Sequence, residues 1–418
     1  MRVVSGSPFP PNRRANGFVL VTLVVSTVAL LACIGLSIDV GYMQLIKSRM
    51  QTAADAAALG AVQERKNGSG STQIVDAAKA DAALNGFTDG QKSVLVAVNS
   101  PPATGLYTAD AGSVEVLISQ DVGTLFMGVV GFTSVTVRSR SVARQGPSSN
   151  CLYALDRTAS GAFSITGGAT LTVSCGIMVA STSSSAMIAG GGAHLTAPSI
   201  NVAGGYQAGG GVVVTPTPTT HVPAESDPLA YLIPPPVGAC VQNINWKASN
   251  GSTKAITKGV YCGGITIDGG STVTMSPGTY ILLGGGLNVS NGAKLSGTGV
   301  TFYVTSDASH AYGGVNLLGG TTVTLAAPTT GAYAGILFYQ DPAISAPADS
   351  TFSNGTAPTM DGALYFPTSK ISYSGGVSSN YTIIVCKTIS FSNGTTVNSN
   401  YASLPGGSPA RGNASLSE

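Results

Sequence analysis

IDGGSTVTMSPGTYILLGGGLNVSNGAKL, residues 267–295, contains one short phrase twice. IDGGSTV (267–273) and VSNGAKL (289–295) both read as apolar, any residue, Gly-Gly or Asn-Gly, small, any residue, apolar. The phrase recurs as ITGGATL (165–171), as IAGGGAHL (188–195, one residue longer), as LLGGTTV (317–323), as FSNGTTV (391–397) and in a broken form as FSNGTAP (352–358). Ile165 to Ile188 is 23 residues and Ile267 to Val289 is 22. That return distance matches one coil of a parallel β-helix. Gly-Gly and Asn-Gly supply the positive-φ corners, and the flanking apolar residues point into a core that only stacked coils bury. A β-sandwich of glycine-turned hairpins is the competing reading, but a sandwich needs no fixed coil length. The expectation is a mainly β chain, with a right-handed parallel β-helix-like solenoid over residues 149–405.

Composition agrees with a repeat. Charged residues are 9% of the chain against a typical ~25%, and the 55 glycines accompany regularly placed β-branched residues. The repeat is interrupted at 212–240, VVVTPTPTTHVPAESDPLAYLIPPPVGAC. Its prolines do not suit a central strand, so it reads as an extended loop crossing the outside of the solenoid, or as a divider between two halves. Residues 406–418 are small and polar and read as a disordered tail.

Toward the N-terminus, Phe18–Ile38 is a run of 21 residues without a charge. As a helix it is about 31 Å long, enough for a hydrocarbon core of ~30 Å. A buried core helix rarely runs this long without a polar break. Two processing readings compete with a stable transmembrane helix. In one, Arg13 and Arg14 open a cleaved signal peptide. In the other, Leu30-Leu31-Ala32-Cys33 is a lipobox and Cys33 is lipidated. The arginines before the span are nearly balanced by Lys47 and Arg49 after it. The acid-free tail, residues 1–17, favours a cytoplasmic N-terminus with the bulk of the chain periplasmic or extracellular.

The helix continues past the span. Met43, Ile46, Met50, Ala53, Ala57 and Gly60 recur at spacings of three and four and form one seam. The seam packs either on its own domain or, as a stalk, on a partner helix. Residues 72–86 form a second amphipathic helix. Ser93–Val98, Ser113–Ser119 and Thr133–Val142 alternate as strands, and DVGTLFMGVVGF (121–132) reads as a short apolar helix. Residues 39–148 are thus a helical stalk and a small α+β module for packing or docking.

The run IDVGYMQLIKSRMQTAADAAALGA (38–61), after a basic lead and an apolar helix, resembles the N-terminal region of Flp (tight adherence) pilus-assembly TadG-like proteins. The specific part is Asp39-Val40-Gly41-Tyr42 followed by Ser48 to Leu59. The resemblance is strong over residues 13–65 and weak to about 145. Residues 151–181, 215–232 and 331–341 are similar to the outer region attached to some TadG-like proteins. The resemblance implies an inner-membrane accessory protein whose partners are pilus-assembly or other envelope proteins. Pilin-like members carry a glutamate five residues after the processing glycine; after Gly17 that position is Thr22, which points to an uncleaved accessory protein and not a pilin.

Of six cysteines, Cys33 lies in the span. Cys151 with Cys175 and Cys240 with Cys262 lie about one coil apart and are expected to form disulfides, with Cys386 free; buried free thiols are the alternative. No Cys-x-x-Cys spacing suggests a metal. The acids beyond residue 150 are dispersed, Asp156-Arg157 reads as a surface pair, and His194, His221 and His310 are isolated. No catalytic residue, metal ligand or cofactor is expected. Net charge is +2 without a basic cluster, so no nucleic-acid partner is expected. The functional expectation is a non-enzymatic, membrane-anchored accessory protein of a Flp-type pilus. The alternatives are a surface adhesin or carbohydrate-binding protein contacting cell-wall or surface glycan and, more weakly, a polysaccharide lyase or hydrolase.

Overall fold

The computed structural model describes residues 15–418 apart from 109, 111, 241–242, 346, 354–358 and 375–378. Most of the N-terminal tail and the broken repeat at 354–358 therefore lie outside the described residues. The chain forms two compact units. The first holds residues up to Arg65, Ser69–Arg144 and Ala414–Glu418; the second holds Lys66–Gly68 and Gln145–Asn413.

In the first unit a single helix, α1 (Ala15–Lys66), runs for 52 residues. Its first half exposes large apolar side chains all round, with Phe18 77% and Leu30 63% exposed. A soluble core helix would bury them, so that reading fails. The segment has the length and composition of a single-pass membrane anchor. From Met50 onward the same helix is packed. Met50, Ala53, Ala54, Ala57, Ala58, Ala61 and Val62 are buried against α2 (Ser71–Leu84) and one face of an antiparallel sheet. That sheet runs β1 (Val94–Asn99), β2 (Ser113–Gly123), β3 (Ser134–Pro147). Opposite residues share a face, as in Val96↔Ile118 and Ile118↔Ser139. The inward set Val94, Val96, Val114, Val116, Ile118 and Val137 therefore follows from period-two alternation. The apolar helix expected within 121–132 is a single 3-10 turn, Met127–Val130.

A fourth strand, Arg411–Leu416, lies beside β3. The disordered tail expected at 406–418 is thereby corrected. RGNASL has no apolar alternation of its own; the free edge of β3 gives its backbone partners.

The second unit is a parallel solenoid of about ten turns. Among the described residues every ladder between successive coils is parallel, which excludes the hairpin sandwich. The apolar residue before each corner forms an internal column: Ile267, Val289, Leu317, Phe352, Tyr373, Phe391, Ile165, Ala189; in the copy at 188–195 the inward residue is Ala189 and not Ile188, and Tyr373 adds a coil that the repeat did not mark. The corners use the expected residues: Gly269 and Gly270 have φ of 59° and 73°, and Asn291 and Gly292 have 53° and 74°. Coil length is less regular than the repeat suggests. Ile265 stacks on Leu287, but Asn316 stacks on Thr351 and Ile371 on Ile389. Only the strands must superpose, so insertions at the corners cost no core.

The order of coils in space is not their order in the chain. The N-terminal run starts at Asn150–Ala154 and ends at Thr219–Thr220; the C-terminal run starts at Asn243–Ala248 and ends at Thr395–Val397. The last coil of the second run stacks on the first coil of the first, through Ile384↔Leu152 and Phe391↔Ile165. The two runs thus make one column, and the connection between them must return along its whole length. The proline-rich segment does this. Val213–Thr215 and Thr219–Thr220 are still solenoid strands, which shortens the loop expected over 212–240. Residues 221–240 then form a strap. At ~3.1 Å per residue its 20 residues reach about 60 Å, against about 45 Å for ten coils at ~4.8 Å.

The contacts of the strap follow that path coil by coil. His221 N–H donates to Gly204 O, Arg157 donates to Glu225 O, and Tyr365 OH to Asp227 Oδ2 at 2.8 Å. Tyr339 OH donates to Leu232 O and Tyr333 OH to Ile233 O, each at 2.8 Å. Cys240 joins Cys262 at the far end. Tyr303, Tyr339 and Tyr365 occupy one register position on successive coils, and two of them fasten the strap.

Candidate functional site

The first unit contains a carboxylate that composition alone would not single out. Asp39 follows the last residue of the apolar span and is almost fully buried. It accepts three backbone N–H bonds: Leu125 to Oδ1 at 2.9 Å, Phe126 to Oδ2 at 2.9 Å and Met127 to Oδ2 at 2.6 Å. These donors open the 3-10 turn Met127–Val130, whose first N–H groups have no partner within the turn. Three charge-assisted backbone bonds meet the hydrogen-bonding needs of a carboxylate that the fold takes out of water. Four residues earlier, Gly35 leaves room for the Phe126 ring, which would lie 2.7 Å from a Cβ there. Asp39 and Gly35 together fix the loop 124–132 against one level of α1. The sequence signal was available: Asp39 is the first acid in the chain, and a carboxylate at the edge of an apolar span requires a partner.

A second buried acid organises the outer face of the sheet. Glu115 accepts bonds from Asn99 Nδ2 at 2.7 Å, Ala103 N at 3.0 Å and Thr104 Oγ1 at 2.9 Å, and pairs with Arg140 Nε at 2.6 Å. Arg140 also binds the Glu418 carboxylate. Alternation along Ser113–Ser119 sets Glu115 on the face opposite Val114, Val116 and Ile118, but it does not show that the loop carrying Ala103 and Thr104 buries it. Beside this network the sheet presents a groove of about 360 Å³ that includes Leu95, Ala97, Leu117 and Arg138.

The seam expected to receive a partner helix is used within the unit. Met50, Ala53 and Ala57 are fully buried, Met43 and Ile46 pack on the same core, and Gly60 lies directly against the Asp81 side chain of α2. Small residues permit close approach to any neighbour, and here α2 and the sheet are the neighbours.

In the solenoid, Cys151 and Cys175 are joined with Cα atoms 5.7 Å apart, and Cys240 and Cys262 with Cα atoms 5.9 Å apart. His310 approaches the second pair, but the disulfide takes both sulfurs and His310 Nδ1 bonds Asp307 Oδ1 at 2.8 Å. Cys386 is a buried thiol and Cys33 an exposed one on α1. The dispersed acids have structural partners: Asp156 accepts from Thr158 N and Ala159 N, Asp268 pairs with Lys247, and Asp361 accepts from Asn380.

These features define a class: a chain with a long apolar N-terminal helix, consistent with a single-pass membrane anchor, that continues into an α+β collar, with a β-solenoid inserted between the collar's third and last strands. Residues 17–64 match the family model described as putative Flp pilus-assembly TadE/G-like. The match coincides with α1 and takes in Gly35 and Asp39. No curated protein and no solved structure gives a significant match. The pilus-assembly domain implies interaction with pilus or envelope components.

Proposed function

We propose that this is a non-enzymatic accessory protein of a Flp-type pilus system, held by α1 in the inner membrane, with collar and solenoid on the outer side. The TadE/G-like match over α1 carries this reading. The span, the open groove on the collar sheet and the structural employment of the solenoid's acids support it. The collar groove lined by Leu95, Ala97, Leu117 and Arg138 is the surface we assign to an assembly partner, because Met50, Ala53 and Ala57 of the Met43–Gly60 seam are already buried. The solenoid is a rigid scaffold.

The test is deletion of the gene with counting of pili by electron microscopy. Complementation uses the full chain and a version in which residues 149–409 are replaced by a short linker. Ser148 N donates to Ala410 O at 2.9 Å, so the ends to be joined are adjacent, and the last strand of the collar is kept. Pili restored by the short version assign assembly to span and collar; pili restored only by the full chain assign part of it to the solenoid. Undiminished pili in the deletion strain overturn the reading.

A glycan-binding solenoid is the second reading, favoured by one observation. Thr274, Ser296 and Thr324 stack in register on the outer face, as do Thr396, Thr172, Thr196 and Thr215. Rows of hydroxyls at ~4.8 Å intervals suit a polymer that repeats its own hydroxyls. Binding of the solenoid to a glycan array separates this reading from a purely scaffolding one.

A further inference from the structure

We infer that the loop Thr124–Phe132 of the collar is seated in the headgroup layer of the bilayer, as a second membrane contact beside α1. This rests on the reading of α1 as a membrane span. The loop, TLFMGVVGF, has no charged residue. It displays Leu125 (71% exposed), Val129 (86%) and Phe132 (61%) to the surroundings, with half of Phe126. Apolar side chains of this size, grouped on one short loop, mark a contact surface.

The geometry says which contact. The Asp39 carboxylate holds the backbone of residues 125–127 directly after Ile38, where the apolar run ends. Phe126 lies on Gly35, three residues inside the run, which is about 5 Å along the helix axis. The loop is therefore fixed at the depth of the last turn of the span. Ile34, Leu36 and Ile38 on that turn are themselves exposed, so the loop extends an apolar surface that already faces lipid. The depth agrees with the ~5–10 Å by which interfacial segments enter the headgroup boundary, and Phe126 and Phe132 bring aromatic rings to the level where such rings concentrate. The buried carboxylate has a purpose in this arrangement. It satisfies the backbone donors of a turn that enters a layer poor in water, where unpaired N–H groups are costly. A span alone leaves the collar free to tilt and rotate about one axis; a second contact removes that freedom.

Trp246 is the chain's only tryptophan, which gives a clean test. In a Trp246→Phe background, Val129→Trp and, separately, Leu30→Trp are introduced into the full chain, and each protein is reconstituted into phosphatidylcholine vesicles with and without brominated acyl chains. Both sites are exposed on the protein, so packing is undisturbed. The expected result is loss of emission at both positions in brominated vesicles, with Val129→Trp quenched most by lipids brominated near the headgroup and emitting at shorter wavelength than free tryptophan. Quenching at Leu30→Trp without quenching at Val129→Trp overturns the inference and leaves the span intact; the loop then faces water or awaits a protein. Absence of quenching at both positions overturns the span and the seated loop together.

Discussion

In the collar, Val96 faces Ile118 and Ile118 faces Ser139, across antiparallel neighbours that are also close in sequence. In the solenoid, Ser164 bonds Ile389 across 225 residues of chain, and the rings of Phe163 and Phe391 meet at 5.7 Å where the two runs join. The collar is built from a helix laid on hairpin-like pairs, with one distant strand, Arg411–Leu416, added at its edge. The solenoid has no such local hierarchy. Its first run ends without the coils that cover its first coil, and they arrive only after the strap has returned. Contacts of such long range delay folding, and they make the junction and the strap the places where the solenoid opens. The collar, by contrast, depends on a few buried polar links between pieces that are small and tightly fitted.

The largest expected effect tests how the collar core is filled. Ala57→Glu buries an unpaired charge among α1, α2 and the sheet and should cost about 4 kcal/mol or more. Loss of helical circular dichroism on heating, with unchanged Trp246 emission from the solenoid, would locate the damage. A variant whose collar melts as the wild type does would mean that the seam faces outward after all. Next comes the junction of the runs. Phe391→Ala removes a ring packed between Tyr373 and Phe163 and should cost about 3–5 kcal/mol. Limited proteolysis should then cut near residues 382–397, and the collar transition should stay in place.

Arg140→Ala sharpens the contrast in polar chemistry, because it strands the buried Glu115. The expected cost is about 3 kcal/mol, read in the collar transition alone. Cys240→Ser with Cys262→Ser frees the far end of the strap and should lower solenoid stability by about 2–4 kcal/mol, read as denaturant dependence of Trp246 emission.

The smallest effect is a difference in the sign of pH dependence. Burial opposes ionisation of Glu115, but Asn99, Arg140, Ala103 N–H and Thr104 hold its carboxyl below its usual 4.5. The stabilisation this gives the collar is complete above the unfolded carboxylate pKa of ~4.3 and is lost as pH falls through the lower folded value. In the strap, burial pushes Asp227 upward, against the bonds from Leu229 N–H and Tyr365. Its contribution to the solenoid is therefore most favourable in acid and declines as pH rises past the unfolded Asp value of ~3.9. Asp227→Asn should flatten that decline; an unchanged pH profile of Trp246 melting would show that Asp227 does not cause it.

The sequence by itself determined the elements and their faces. A glycine-cornered phrase recurring at about one coil demands stacked parallel strands, because no single coil buries its apolar residues. An uncharged run of 21 residues has the length of a membrane anchor. Alternation in β2 announced which of its side chains turn inward. Tertiary structure alone decided which surface meets which. The Met43–Gly60 seam shows a close-packing face but not its neighbour, and the neighbours are α2 and the sheet. Residues 411–416 carry no pattern and become a strand because β3 leaves an edge to pair with. The order of the coils was hidden because the two edges of a coil are chemically alike, so the repeat cannot say whether the next coil stacks before or behind. The proline strap resolves that choice by returning along the solenoid, and Asp39 acquires its role only when the chain brings residues 125–127 back to the end of the span.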